Sequence, residues 1–245
     1  MNAPRESGPR RAGPGGAGPE AVLGALRGGL IVSCQAYPGE PLRDPQIMAR
    51  MAQAVVAGGA AGVRAQGLED IRVITSSVEV PVTGLWKDGT DPVFITPTLR
   101  HAVAVAEAGA HIVALDGTRR PRPDGRTLAQ TIAGLREHSD ALVMADCGSV
   151  EDARAAEDAG ADLLGTTLAG YTGQRPKTDG PDLELLDQIL AHCSRPVIVE
   201  GRVHTPDQAA GAIARGAFAV AVGTAITHPT TLTRWFHEAV AGQGS

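Results

Sequence analysis

Four charged residues stand at or near the ends of short apolar runs. They are Arg64 in AAGVRAQ (60–66), Lys87 closing PVTGLWK (81–87), Asp146 in ALVMADC (141–147) and Glu200 in PVIVEGR (196–202). A carboxylate directly after apolar residues is costly to bury unless paired, and Arg64 and Arg202 are candidate partners. A lysine desolvated beside a cation such as Arg64 has a lowered pKa. Its neutral amine can then take a proton or form a Schiff base with a carbonyl. Polar residues close the other runs as well: Gln35, Asp116, Thr166 with Thr167, and Thr224. Asp116 leads into the basic segment at 117–123, GTRRPRP, which reads equally as a cover for an anionic substrate or as a solvated loop. Gly201 and Gly223 follow the last two runs. Glycine there lets backbone N–H groups approach an anion, so the pair points to phosphate.

The elements that must position these groups repeat along the chain. Eight short runs, GLIVSCQ (29–35), AAGVRAQ, PVTGLWK, HIVALDG (111–117), ALVMADC, ADLLGTT (161–167), PVIVEGR and FAVAVGT (218–224), are apolar nearly throughout. Such runs mark parallel strands covered on both faces. Between them lie segments of helical period, such as Leu99, Ala102, Val103 and Ala106. Thr205-Pro-Asp-Gln208 reads as a capping box with Pro at the first helical position, and Ser149-Val-Glu-Asp152 as a similar start. Gly58, Gly109, Gly160 and Gly216 fall where helices would end in the left-handed conformation. The pattern predicts a closed (β/α)₈ barrel of the phosphate-binding type, with its chemistry at the C-terminal ends of the strands. An open doubly wound sheet has less support, because no GxGxxG follows the first strand.

Composition narrows the partners. A net charge of −5 argues against nucleic acid, and no apolar stretch approaches the roughly 20 residues of a membrane span. The three cysteines, Cys34, Cys147 and Cys193, lack metal-ligand spacing and read as small hydrophobes in a reducing cytoplasm. Residues 1–20 are rich in Pro, Gly and Arg and are expected to form a disordered tail, leaving 21–245 as one barrel domain.

Over residues 28–240 the chain resembles the N-acylglucosamine-6-phosphate (N-acetylmannosamine-6-phosphate) 2-epimerase family. The resemblance is carried by GGLIVSCQAYPGEPL (28–42), GVRAQGLEDI (62–71), FITPTL (94–99), ALDGTRRPRPDG (114–125), LVMADC (142–147), TTLAGYT (166–172), PVIVEGRVHTP (196–206) and VGTAIT (222–227). It implies interconversion of N-acetylmannosamine 6-phosphate and N-acetylglucosamine 6-phosphate in sialic acid and amino sugar catabolism, without metal or organic cofactor, by a cytoplasmic homodimer. It also implies that Lys87 transfers the proton with Glu200 as its acidic partner and Asp146 as a further carboxylate. Gln35, Arg64, Asp116, Thr166 and Tyr171 would then hold the sugar, and Gly201, Arg202, Gly223, Thr224 and His228 the phosphate end. His228 stands where the family usually has arginine, Asp88 where arginine commonly follows the lysine, and Gly117 where alanine is usual. Asp88 is expected to favour the charged form of Lys87. Two other readings remain: a Schiff-base aldolase or lyase using Lys87, and a sugar-phosphate-binding barrel without catalysis.

Overall fold

The computed structural model describes residues 18–242. Eight strands, β1 (Leu30–Cys34), β2 (Gly62–Gln66), β3 (Val82–Leu85), β4 (Ile112–Asp116), β5 (Leu142–Asp146), β6 (Leu163–Gly165), β7 (Val197–Glu200) and β8 (Ala219–Val222), form one closed barrel in sequence order. Every neighbouring pair is parallel, and β8 pairs back onto β1. The eight apolar runs are therefore the eight strands.

The helices are α1 (Pro19–Leu26), α2 (Pro45–Ala57), α3 (Leu68–Thr75), α4 (Leu99–Glu107), α5 (Leu128–Arg136), α6 (Val150–Asp158), α7 (Leu183–His192), α8 (Pro206–Ala214), α9 (Thr224–Thr227) and α10 (Pro229–Ala241). Their starts are set by local chemistry. Thr127 and Thr205 form complete capping boxes with Gln130 and Gln208, and the Ser149 and Asp182 side chains accept from backbone N–H groups of the first turn. At the exits, Gly109, Gly160 and Gly216 are left-handed with φ of 104°, 94° and 105°. The expectation for Gly58 needs correction. It is right-handed with φ −79°, and the left-handed residue is its neighbour Gly59 at φ 99°.

Two layers of apolar packing result. Outward-facing strand residues such as Val63, Val113, Val143 and Val199 pack against the helices, while Ile31, Ile112, Leu142, Leu163 and Ala219 fill the barrel interior. The N-terminal end of the barrel is stoppered by α1, whose Val22 and Leu26 are buried against that interior together with Phe218. This corrects the expected tail boundary. Pro19 and Glu20 already belong to α1, and the rest of the expected tail lies outside the described residues apart from Gly18. The strand–helix alternation gave no hint of α1, because it precedes the first repeat.

All three cysteines are free, with Cys34 and Cys147 buried; burial pushes the Cys34 thiol up to about 12, as expected of a packing residue. Leu26 is 1% exposed and fills the space beside Gly62, where an added Cβ would lie 2.5 Å from its Cδ2. Leu26→Ala should therefore lower unfolding stability by about 2–5 kcal/mol, read as a lower urea midpoint at unchanged m-value.

Candidate active site

The barrel alternates side chains in and out with period two. Its upper interior layer comprises Gln35, Gln66, Lys87, Asp116, Asp146, Thr167, Glu200 and Gly223, one from each strand or its C-terminal continuation. Beneath that layer, Arg64 rises from β2 and is 2% exposed. Its Nη2 donates to Asp146 Oδ2 at 2.6 Å, and its Nη1 donates to Asp146 Oδ1 at 3.1 Å and Glu200 Oε2 at 2.8 Å. Thr167 Oγ1 donates to Asp146 Oδ1 at 2.7 Å and lies 3.3 Å from Glu200 Oε2. Gly165 leaves the room this needs, since a Cβ there would stand 2.5 Å from Met144 Cε and 3.4 Å from Asp146 Oδ1.

One arginine thus serves two carboxylates. Desolvation works against the Arg64 charge, yet Asp146 and Glu200 attract it strongly enough that its pKa rises. Glu200 titrates high because burial disfavours its anion and Asp146 repels it, against the pull of Arg64. Its carboxyl is the member of the cluster best placed to carry a proton.

Lys87 continues β3 and opens onto the mouth, where its Nζ donates to Gln35 Oε1 at 2.9 Å. Gln35 is oriented in turn, its Nε2 donating to Ser33 Oγ at 2.8 Å. Water reaches Lys87 from the mouth, but enough protein surrounds the amine that desolvation pulls its pKa below the lysine range. Arg64 adds to this, and Glu200 and Asp146 oppose it. Asp88 does not hold the lysine charged. It turns away to pair with His101 at 2.9 Å and lies 3.9 Å from Arg100.

These groups share a cavity of about 470 Å³ at the C-terminal end of the barrel, lined among others by Gln35, Lys87, Tyr171, Glu200, Gly201, Arg202, Gly223, Thr224 and His228. Gly201 is left-handed at φ 106° and Arg202 at φ 56°, so the chain turns sharply as it leaves β7. Gly223 caps α9, its carbonyl accepting from the Ile226 and Thr227 N–H groups, which leaves those of Thr224 and Ala225 without an acceptor inside the helix. His228 is 5% exposed, and its Nδ1 has no hydrogen-bond partner and lies 3.7 Å from Glu40 Oε2. Burial lowers its pKa, with Glu40 opposing.

Five expected residues take other places. Arg64 and Asp146 lie beneath the cavity and act on it through Glu200 and Thr167. Thr166 faces outward from the mouth and ties β6 to β7, donating to the Glu200 carbonyl and accepting from its N–H. Its neighbour Thr167 lines the cavity instead. Asp116 is fully buried and does not line it, since it accepts from the Thr118 N–H and hydroxyl and from Arg120 Nη2, while Arg122 holds its carbonyl. Arg202 borders the cavity, but its guanidinium donates to the Gly180 and Ala169 carbonyls and to Thr178, which leaves it as a brace for the loop after β6. Tyr171, 54% exposed, stands at the rim beside Arg202 and Lys177. Sequence reasoning named Thr167 only beside Thr166 and Arg120 only within the basic segment at 117–123, and it missed Ser33, Tyr37 and His204 among the lining residues. Counting by twos along each strand from Asp146 or Glu200 gives the signal that finds Ser33 and Thr167. Among the described residues no group of three or more His, Cys, Asp or Glu side chains converges as a metal site.

Comparisons with known proteins show the family. Residues 48–242 match the family model described as "Putative N-acetylmannosamine-6-phosphate epimerase". A Cutibacterium acnes protein described as "Putative N-acetylmannosamine-6-phosphate 2-epimerase" is 60% identical over 90% of this chain and 97% of its own. A protein of the same description from Caldanaerobacter subterraneus is 47% identical over 88% and 92%. The solved structure of the N-acetylmannosamine-6-phosphate 2-epimerase from Clostridium perfringens superposes with a TM-score of 0.85 at 37% identity, covering 89% of this chain and 95% of the other. A thiamine phosphate pyrophosphorylase from Pyrococcus furiosus, 18% identical with a TM-score of 0.57 over 84% and 89%, shares the fold alone. An eight-stranded barrel with a buried arginine–dicarboxylate cluster beside an amine at its mouth, matched along most of its length at up to 60% identity, places this chain in the N-acetylmannosamine-6-phosphate epimerase family.

Proposed function

We propose that this chain is an isomerase that interconverts N-acetylmannosamine 6-phosphate and N-acetylglucosamine 6-phosphate by moving the proton at carbon 2 of the open-chain sugar. The observation that carries the reading is the Lys87 amine held by Gln35 in the same mouth as the Arg64–Asp146–Glu200 cluster. Epimerisation at carbon 2 needs an aldehyde at carbon 1, so the ring opens first. Glu200, whose burial keeps its proton on at higher pH, supplies the acid for the ring oxygen. Lys87, whose pKa burial lowers, supplies the neutral amine that takes the carbon-bound proton. β3 and β7 lie four strands apart in the ring of eight. Lys87 and Glu200 therefore face opposite sides of a sugar between them, which suits removal of the proton from one face and its return on the other.

The phosphate is assigned to the turn after β7 and the start of α9, at Gly201, the Arg202 backbone, Gly223 and Thr224. His228 borders this end. Binding energy gained there, remote from carbon 2, serves to position the reacting carbon. A Schiff-base reaction would use the same lysine, but membership of an epimerase family favours proton transfer. A place in sialic acid catabolism and a cytoplasmic location fit this substrate; among the described residues no helix is long and apolar enough to cross a membrane.

A homodimer belongs to the same reading. Helix α10 carries Leu232, Trp235, Phe236, Ala239 and Val240 on one face, at helical spacings of three and four. Trp235, Phe236 and Val240 are 38%, 73% and 75% exposed, and no residue of the helix is buried. It packs chiefly on α9 and touches the mouth through Trp235, whose ring meets that of His204 edge-on at 4.9 Å. A second copy of the chain is assigned to the apolar face, since exposing such a stripe to water is unfavourable.

Three measurements test this. In deuterated water, NMR should show N-acetylmannosamine 6-phosphate gaining deuterium at carbon 2 as the gluco epimer appears, and Lys87→Ala should abolish both while ligand binding survives; wild-type-like exchange in that variant removes Lys87 from the reaction. The pH profile of kcat/KM should fall on the acid side as Lys87 gains its proton and on the alkaline side as Glu200 loses its own. The Asp146 charge raises both pKa values, so Asp146→Asn should move both limbs to lower pH, and limbs that move apart contradict the assignment. Sedimentation should give twice the chain mass for the wild type and a single chain for Phe236→Glu/Val240→Lys; a wild-type monomer rejects the dimer.

A further inference from the structure

We infer that Arg120 is a catalytic residue that holds the negative charge developing on the carbon-1 oxygen of the substrate. The inference rests on the epimerase reading and adds to it the group that reaction needs most. When the carbon 2–hydrogen bond breaks, the proton goes to the Lys87 amine and the bonding pair moves onto the carbon-1 oxygen as an enolate. Return of a proton to carbon 2 from the other face restores the aldehyde. A fixed cation at that oxygen lowers the barrier, and it must be in place before the charge forms.

The candidates can be counted among the groups that border the cavity. Arg64 lies beneath it with both terminal nitrogens spent on Asp146 and Glu200. Arg202 directs its guanidinium at the loop after β6. His228 is driven toward its neutral form by burial, and His204 packs its ring edge-on against Trp235 of α10. Lys87 serves as the base. Arg120 remains, and it is built in rigidly. Its Nε donates to Thr118 Oγ1 at 2.9 Å and its Nη2 to Asp116 Oδ2 at 2.7 Å, and both partners are buried. The side chain is 24% exposed and lines the cavity, and Nη1 has no protein partner among the described residues. The buried Asp116 is thereby explained as the anchor of a cation, not as a sugar ligand.

Position in the barrel decides which part of the substrate it meets. Arg120 follows β4, across the ring from β8 and its phosphate glycine Gly223. It shares the mouth with Phe94 and Ile95, and Ile95 bridges to Lys87. The guanidinium thus belongs to the reacting end of the sugar, beside the base.

Two stable analogues separate this role from a structural one. N-acetylglucosaminate 6-phosphate carries a carboxylate at carbon 1, and N-acetylglucosaminitol 6-phosphate a neutral alcohol. In Arg120→Met, kcat should fall about 10²–10³-fold, the loss expected for one oxyanion donor. The aldonate should lose affinity by about the same factor, and the alditol by less than about threefold. Because Arg120→Met strands the Asp116 charge, Arg120→Met/Asp116→Asn keeps the pair neutral and should show the same discrimination at wild-type melting temperature. Equal weakening of both analogues, or none, overturns the assignment. A wild type that binds both analogues and turns nothing over overturns the epimerase reading instead, and the aldonate preference still judges Arg120.

Discussion

The site depends on one buried guanidinium. Arg64, 2% exposed, sits under the mouth with Asp146 and Glu200 above it, and Asp146 itself is fully buried. Charge at such a place persists only when paired and hydrogen-bonded, so each member fixes the others. A single positive charge is well matched to a single carboxylate. Asp146 takes it bidentately, and Glu200, the second carboxylate, is left with one bond from the guanidinium and a pKa raised by burial and by its neighbour. The same cluster sets the field at Lys87, where Arg64 opposes the ammonium and the carboxylates favour it. One ion cluster at the floor of the cavity thus shifts the pKa values of both Glu200 and Lys87.

The scaffold gives that cluster its precision. Parallel strands in sequence order bring eight consecutive strand ends to one rim, and the two-residue alternation decides which side chains enter. Thr166 and Thr167 are chemically equal and adjacent. The first is spent on the backbone between β6 and β7, and the second bonds the carboxylates, because only the second has the inward phase. Gly165 belongs to the same logic, an absent side chain that leaves space for Met144 and Asp146. The Ser33–Gln35–Lys87 chain shows the same economy, as one hydroxyl settles which end of the amide meets the amine.

The departures from the family pattern fall on groups outside the ion cluster. Asp88 is absorbed by His101 and leaves Lys87 to be set by burial. Gly117 stands against β5, where a Cβ would approach Ala145 Cβ to 2.7 Å and the Asp146 carbonyl to 3.1 Å. His228 lines the cavity as a buried ring near Tyr37 and Glu40. These positions alter the surroundings of the mouth and leave Arg64, Lys87, Asp146 and Glu200 in register.

The sequence by itself determined the barrel and the identity of its charged strand ends. Near-continuous apolar runs, helical spacing between them and recurrent helix-exit glycines are local signals, and local signals survive in one dimension. It also carried the capping box at Thr205 and the cap at Ser149, because a cap lies within four residues of its partner. Helix α1 carries no such signal because it stands outside the repeat, and the adjacent Gly58 and Gly59 look alike in sequence because neither carries a mark of φ. Only the tertiary structure decided what each polar side chain faces. Asp116 and Arg202 have the residue types of ligands, yet partners close by in space claim them, at Thr118 and Arg120 and at Ala169, Thr178 and Gly180. Arg64 meets residues 82 and 136 positions away. Such pairings follow from barrel closure and strand register, which are set by the packing of the whole chain.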